Sequence, residues 1–115
     1  MASSRRNLKA EHLVLAGAAD IPVTVGTMDD CPHFRAGMRE GGTIDFEKVE
    51  AEVAEVARCM AAEHADIGAI VFECVDLPPY AHAVQEATGL PVYDITTLIN
   101  HALGALVRRR FTGVY

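Results

Sequence analysis

The sequence predicts an α/β fold, a short parallel sheet of about three strands in a three-layer αβα arrangement. Three observations carry that prediction. Residues 67–72, Ile-Gly-Ala-Ile-Val-Phe, are an apolar run without alternation, as expected of a strand buried on both faces of a parallel sheet. Residues 44–64 set Phe46, Val49, Val53, Val56 and Met60 at steps of three and four, with Glu47, Glu50, Glu52 and Glu55 on the other faces, the signature of an amphipathic helix. Strand-like and helix-like segments then alternate along the chain, as right-handed βαβ crossovers require.

Taken in order, residues 8–17 place Leu8, Leu13 and Leu15 ahead of Gly17, which predicts a short helix ended by a glycine. Residues 21–27 are rich in β-branched side chains and run into the turn formers Asp29 and Asp30. They predict a strand that Pro22 confines to an edge or starts late. The 44–64 helix has Thr43 as its expected N-cap, with Asp45 and Glu47 in the first turn, where acids complement the dipole. Pro78-Pro79 open a helix that runs through Thr88 and is closed by Gly89. Pro91–Asp94 predict a third short strand and Thr96–Arg109 the last helix. The whole, residues 1–115, reads as one α/β domain with 1–7 unstructured. A sheet this thin leaves a bare edge, so a homo-oligomer is the expected state.

Ten Lys+Arg against sixteen Asp+Glu give a formal charge of −6. Such a surface repels phosphate backbones and anionic lipid, which argues against nucleic-acid and membrane partners. The basic run Arg108-Arg109-Arg110 is explained by placement at a helix C-terminus. No apolar run is long enough for a membrane span, and no secretory signal follows Met1. Cys31, Cys59 and Cys74 are odd in number and lack CxxC spacing, as expected of a reducing cytoplasm.

In parallel sheets ligands gather beyond the carboxyl ends of the strands. That singles out Asp29-Asp30, Glu73-Cys74-Val75-Asp76 and Asp94–Thr97. A thiol at the mouth of a helix has its thiolate stabilised by backbone N–H groups, which would suit Cys74 to nucleophile or base work. It could equally pack as a small hydrophobe. Cys59, within the long helix, reads as packing, and Cys31 as a loop thiol with no base beside it. His12, His33, His64, His82 and His101 show no metal-ligand spacing, and there is no GxGxxG, P-loop or GxSxG motif. His101, one turn into the last helix, could orient an acid or base or simply be a partly exposed helical histidine. Asp76 suits a helix cap and Asp29-Asp30 a turn.

The segment Phe72-Glu-Cys-Val-Asp-Leu-Pro-Pro-Tyr80, followed by Ala87-Thr-Gly-Leu-Pro-Val-Tyr-Asp-Ile95, resembles the C-terminal half of the aspartate/glutamate racemase family. That superfamily also holds hydantoin racemases, maleate isomerases and arylmalonate decarboxylases. The resemblance implies cofactor-independent racemisation at the α-carbon of an amino acid or related small carboxylate, without pyridoxal phosphate or metal. Cys74 would be the acid/base, and Glu73, Val75 and Asp76 would hold the substrate. Two thiols on opposite faces of the α-carbon are implied. Only Cys74 matches, and Val75 stands where the family has a threonine, so the implied site is incomplete. The alternatives are a non-catalytic oligomeric half-domain and a single-cysteine, decarboxylase-like activity in an assembly.

Overall fold

The computed structural model describes residues 1–108 and 110–113. The elements, in order, are α1 (Ala10–Leu15), α2 (Pro32–Phe34) continued by a π-helical turn at Arg35–Arg39, α3 (Phe46–Glu63), β1 (Ile70–Val71), a 3-10 turn at Pro78–Tyr80, α4 (Ala81–Thr88), β2 (Val92–Tyr93) and α5 (Ile95–Leu106). This is a mixed helix and strand architecture with a two-stranded parallel sheet, Ile70 opposite Val92 and Val71 opposite Tyr93.

The long helix forms where its periodicity places it. Its cap is Asp45 rather than Thr43, because the Asp45 carboxylate accepts from the Lys48 N–H at 3.2 Å and satisfies one of the orphan donors of the first turn. Val49, Val53 and Ala57, spaced four apart, are buried against α4 and the turn before it, where Val84, Leu77 and Tyr80 close the other side. Gly89 ends α4 in the left-handed conformation at φ 69°, which a residue with a Cβ adopts only at a cost.

The segment predicted as a first strand makes one isolated parallel bridge, Ala2 to Thr27, and no ladder. Pro22 removes a donor from the segment, which limits how far it can pair. The N-terminus is where the prediction changes most. Within residues 1–7, expected to be unstructured, Met1 and Ala2 are docked: the Ala2 N–H donates to the Gly26 carbonyl at 3.0 Å and the Met28 N–H to the Ala2 carbonyl at 3.2 Å. On the other side the Glu73 N–H donates to the Met1 carbonyl at 2.9 Å, and the Met1 ammonium donates to the Val71 carbonyl. Met1–Ala2 therefore cover the edge of β1 that β2 does not. Met1, Ala2 and Ser4 are buried, and burial lowers the pKa of the amino terminus below the ordinary range.

The last helix begins at Ile95, earlier than predicted, and ends at Leu106, so Arg108 and Arg110 lie beyond its last turn, which holds no basic residue. Arg109 lies outside the described residues. Neither α1 nor α5 has a buried residue, and α5 leaves Leu98, Ile99, Leu103 and Leu106 exposed. The radius of gyration is 16.2 Å, against about 13 Å for a compact domain of roughly this length. The excess comes from elements that project without packing. No helix among the described residues is long and apolar enough to cross a membrane.

Candidate active site at the carboxyl ends of the strands

Because β1 and β2 run parallel, their carboxyl ends open on the same side, and a groove of about 650 Å³ forms there against the first turns of α5. Its walls are largely apolar, from Val71, Val75, Tyr93 and Leu98, with Glu73, Asp94 and His101 as the lining groups able to carry charge. The helix wall is fixed by a reciprocal cap: Asp94 accepts from the Thr97 N–H at 2.7 Å, and the Asp94 N–H donates to the Thr97 hydroxyl at 2.9 Å. This Asp-x-x-Thr box was readable in the sequence and marks the true helix start.

Of the four residues singled out at the end of β1, Glu73 and Val75 line the groove and Cys74 and Asp76 do not. Cys74 is half-buried at the margin of the core, its thiol donating to Asp76 Oδ2 at 3.7 Å and its carbonyl accepting from the Leu77 N–H at 3.3 Å. Asp76 is therefore the partner of the thiol and not a helix cap; the cap position of the turn is Leu77 and that of α4 is Tyr80, neither with a side-chain bond.

The expectation of a thiolate favoured by a helix mouth is also corrected. Burial pushes the Cys74 thiol above its ordinary pKa, with the Asp76 carboxylate adding to the shift while the Asp76 backbone and the Ser3 hydroxyl oppose it. The physical reason lies in the sequence itself. The chain beyond Cys74 enters a 3-10 turn opened by two prolines, which have no N–H to offer, and α4 begins only at Ala81.

Tyr80 gave no signal in the sequence beyond its place in the turn. Its hydroxyl is buried with no hydrogen-bond partner among the described residues, and burial together with the Glu50 and Asp76 carboxylates keeps it protonated, so it is an unused donor.

Of the other thiols, Cys31 packs in the core although the sequence placed it in a loop, whereas Cys59, expected to pack, is exposed. Cys31 is buried in the core cluster, and burial, with Glu52, Asp30 and Asp29 nearby, pushes its pKa up to about 11. A raised folded-state pKa contributes stability that is full below the ordinary thiol value of about 8.5 and is lost above it. Urea midpoints are therefore expected to fall as the pH rises towards about 11, and Cys31→Ala to flatten that decline. Cys59 is exposed on α3 and bonded to Glu55 at 3.4 Å, which raises its pKa. Among the described residues no three His, Cys, Asp or Glu side chains converge as a metal cage.

Asp29 is more than a turn former. Its carboxylate accepts from the Ser4 hydroxyl at 2.8 Å, the Arg5 N–H at 2.9 Å and the Arg39 guanidinium at 3.4 Å, and the Arg5 and Ser4 bonds above all hold it far below the usual carboxylate range. These bonds pin the N-terminal segment. They weaken only as pH falls towards the protonation of Asp29.

Comparison with known proteins adds what geometry cannot. Over 89 residues the chain is 40% identical to dimethylsulfoniopropionate lyase 7 of Emiliania huxleyi (strain CCMP1516), covering 74% of this chain and 26% of that protein. A dimethylsulfoniopropionate lyase of Durusdinium sp. clade D is 50% identical over 72 residues, 63% of this chain and 23% of that one. Dimethylsulfoniopropionate lyase 5 of Emiliania huxleyi is 34% identical over 72 residues, 63% of this chain and 14% of its own length. The matched region thus spans about a quarter or less of these relatives. No family model and no solved structure matches the chain. The relatives are named as lyases and not as aspartate/glutamate racemases, which overturns the expected racemisation and the isomerase class; the decarboxylase-like alternative gains no support either.

Proposed function

We propose that the chain supplies part of a lyase site acting on a sulfonium carboxylate of the dimethylsulfoniopropionate type, with Cys74 as the proton-transferring group. The observation that carries the site assignment is the turn after β1, where Glu73 and Val75 line an apolar groove and Cys74 stands between them in the chain. The lyase class comes from the names of the relatives.

Such a substrate is a small zwitterion, a carboxylate at one end and a cationic sulfonium at the other. In an elimination, a base takes a proton from the carbon beside the carboxylate, that electron pair forms a carbon–carbon double bond, and the carbon–sulfur bond breaks to release neutral dimethyl sulfide and acrylate. No co-reactant is needed. The groove suits the cationic end: the Tyr93 ring offers a π-face, Glu73 an opposite charge, and Val71 and Leu98 apolar cover for the methyl groups. The Val75 backbone N–H is the group assigned to the carboxylate. A thiol whose pKa is raised is scarcer as thiolate but a stronger base once ionised, which fits abstraction of a weakly acidic C–H. Asp76 orients the thiol through its contact at 3.7 Å.

The sheet is read as part of a larger αβα body in a cytoplasmic enzyme, with a small carboxylate as its partner and neither nucleic acid nor membrane. The uncovered apolar face of α5 supports a homo-oligomer for the isolated chain.

Protection from alkylation tests the site directly. With iodoacetamide, saturating dimethylsulfoniopropionate is expected to slow labelling of Cys74 at least about threefold and leave the exposed Cys59 unchanged, read peptide by peptide by mass spectrometry. Equal rates with and without the zwitterion at Cys74 would count against the assignment.

A further inference from the structure

We propose that a second cleft, formed by four arginines around Asp29, binds a phosphate-class dianion. The cleft has a volume of about 570 Å³ and is lined by Ser4, Arg5, Arg6, Asp29, Arg35 and Arg39. Its position is that of a ligand site in a parallel α/β fold: Ser4 and Asp29 each stand two residues past the partners of the parallel bridge Ala2–Thr27, beyond the carboxyl end of that pair.

Charge points to the ligand. Four guanidiniums meet one carboxylate, a local excess of three positive charges in a chain of formal charge −6. Glu40, which pairs Arg35 at 3.6 Å at the rim, reduces the excess only to two. Asp29 is already engaged: it binds Ser4, the Arg5 backbone and the Arg39 guanidinium, and so fixes the positions of Arg5 and Arg39 at the cleft. The side chains of Arg5 and Arg6 are exposed and make no ion pair among the described residues, while their backbones are tied down by Asp29 and by the Ser4 hydroxyl. Two fixed stems therefore carry two uncommitted guanidiniums.

Guanidinium is the group that meets a tetrahedral oxyanion with paired donors, and several of them outnumber the two oxygens of one carboxylate but match the three of a phosphate group. A sulfonium carboxylate, with no net charge, is a poor match for this cleft. The site is thus separate from the groove at β1 and β2 and does not rest on the lyase reading.

Isothermal titration calorimetry of the chain at low ionic strength, with inorganic phosphate and with glycerol phosphate, decides it. Saturable binding at one site is expected, weakened about tenfold or more in Arg5→Gln/Arg6→Gln, whose exposed side chains leave the fold intact. The control Lys9→Gln/Arg108→Gln removes two positive charges elsewhere and is expected to bind as the unaltered chain does. Tighter binding of the ester identifies an organic phosphate as the occupant and equal binding a free phosphate; both outcomes carry the site. No saturable binding of either anion, an equal loss in the control, or preferential binding of dimethylsulfoniopropionate at this cleft overturns it.

Discussion

Replacing Cys74 by Ala is expected to lower dimethyl sulfide release by at least about a hundredfold in any active form of the protein that carries this segment, because proton transfer by a positioned group contributes about 10² to 10⁴ in rate. The effect belongs in kcat, since the thiol is not assigned to substrate binding. Cys74→Ser keeps the size but offers a far weaker acid and should be nearly as impaired. His101→Ala is the informative comparison, because His101 lines the groove whereas Cys74 only stands in the chain between the lining residues Glu73 and Val75. A change within about threefold for His101→Ala leaves the thiol as the base, whereas a loss matching that of Cys74→Ala would transfer the role to the imidazole. The thiol's raised pKa adds a pH signature. Activity that depends on its thiolate should climb with pH through a value above that of an ordinary cysteine and should not plateau at neutrality.

The second large effect is on stability. Phe34→Ala is expected to cost about 3–5 kcal/mol, a large part of the roughly 5–15 kcal/mol available to a domain. Phe34 is fully buried, in one cluster with Met28, Val49 and Val53, and its position is held from outside the core as well. The Glu52 carboxylate on α3 accepts from the His33 N–H at 3.0 Å and the Phe34 N–H at 2.9 Å, so a single acid caps the short helix that carries the ring. Phe46→Ala removes the same side chain from a position 61% exposed, and its cost should stay within about 0.5 kcal/mol. Urea unfolding tracked by circular dichroism separates the two. Comparable midpoints would mean that the cluster around Phe34 is not the core.

Much of the fold was legible from local chemistry. The helix over α3 follows from apolar residues at three and four residue steps and the end of α4 from Gly89, but the prolines open a 3-10 turn rather than α4. The apolar run at 67–72 pairs only at Ile70–Val71, with Val71 exposed, so it is not a strand buried on both faces. What periodicity could not show is pairing between distant residues. Nothing in Met1-Ala2-Ser3-Ser4 marks a segment that docks beside β1, since the bonds of Met1 are backbone bonds to residues some seventy positions away. Glu52, one of several acids on α3, gives no local sign that it caps α2.

The site was legible in the same measure. Parallel topology points to the strand ends, and the structure puts Glu73 and Val75 in a groove there. The thiol's electrostatics were misjudged because a helix mouth was inferred from Pro78-Pro79 without counting the N–H groups that prolines lack. Asp29 reads as a turn former because its partners, Ser4, Arg5 and Arg39, come together only in three dimensions. The resemblance around Cys74 points to racemases, whereas the relatives found by comparison are named as lyases.

Headspace gas chromatography of a chimera is the most direct trial of the account. The Emiliania huxleyi lyase 7 would carry this chain's 89 matched residues in place of its own and be supplied with dimethylsulfoniopropionate. Release of dimethyl sulfide within about tenfold of the parent enzyme, abolished by Cys74→Ala, is the predicted result. A chimera that folds cooperatively yet releases none, or one that is indifferent to the loss of the thiol, would contradict it.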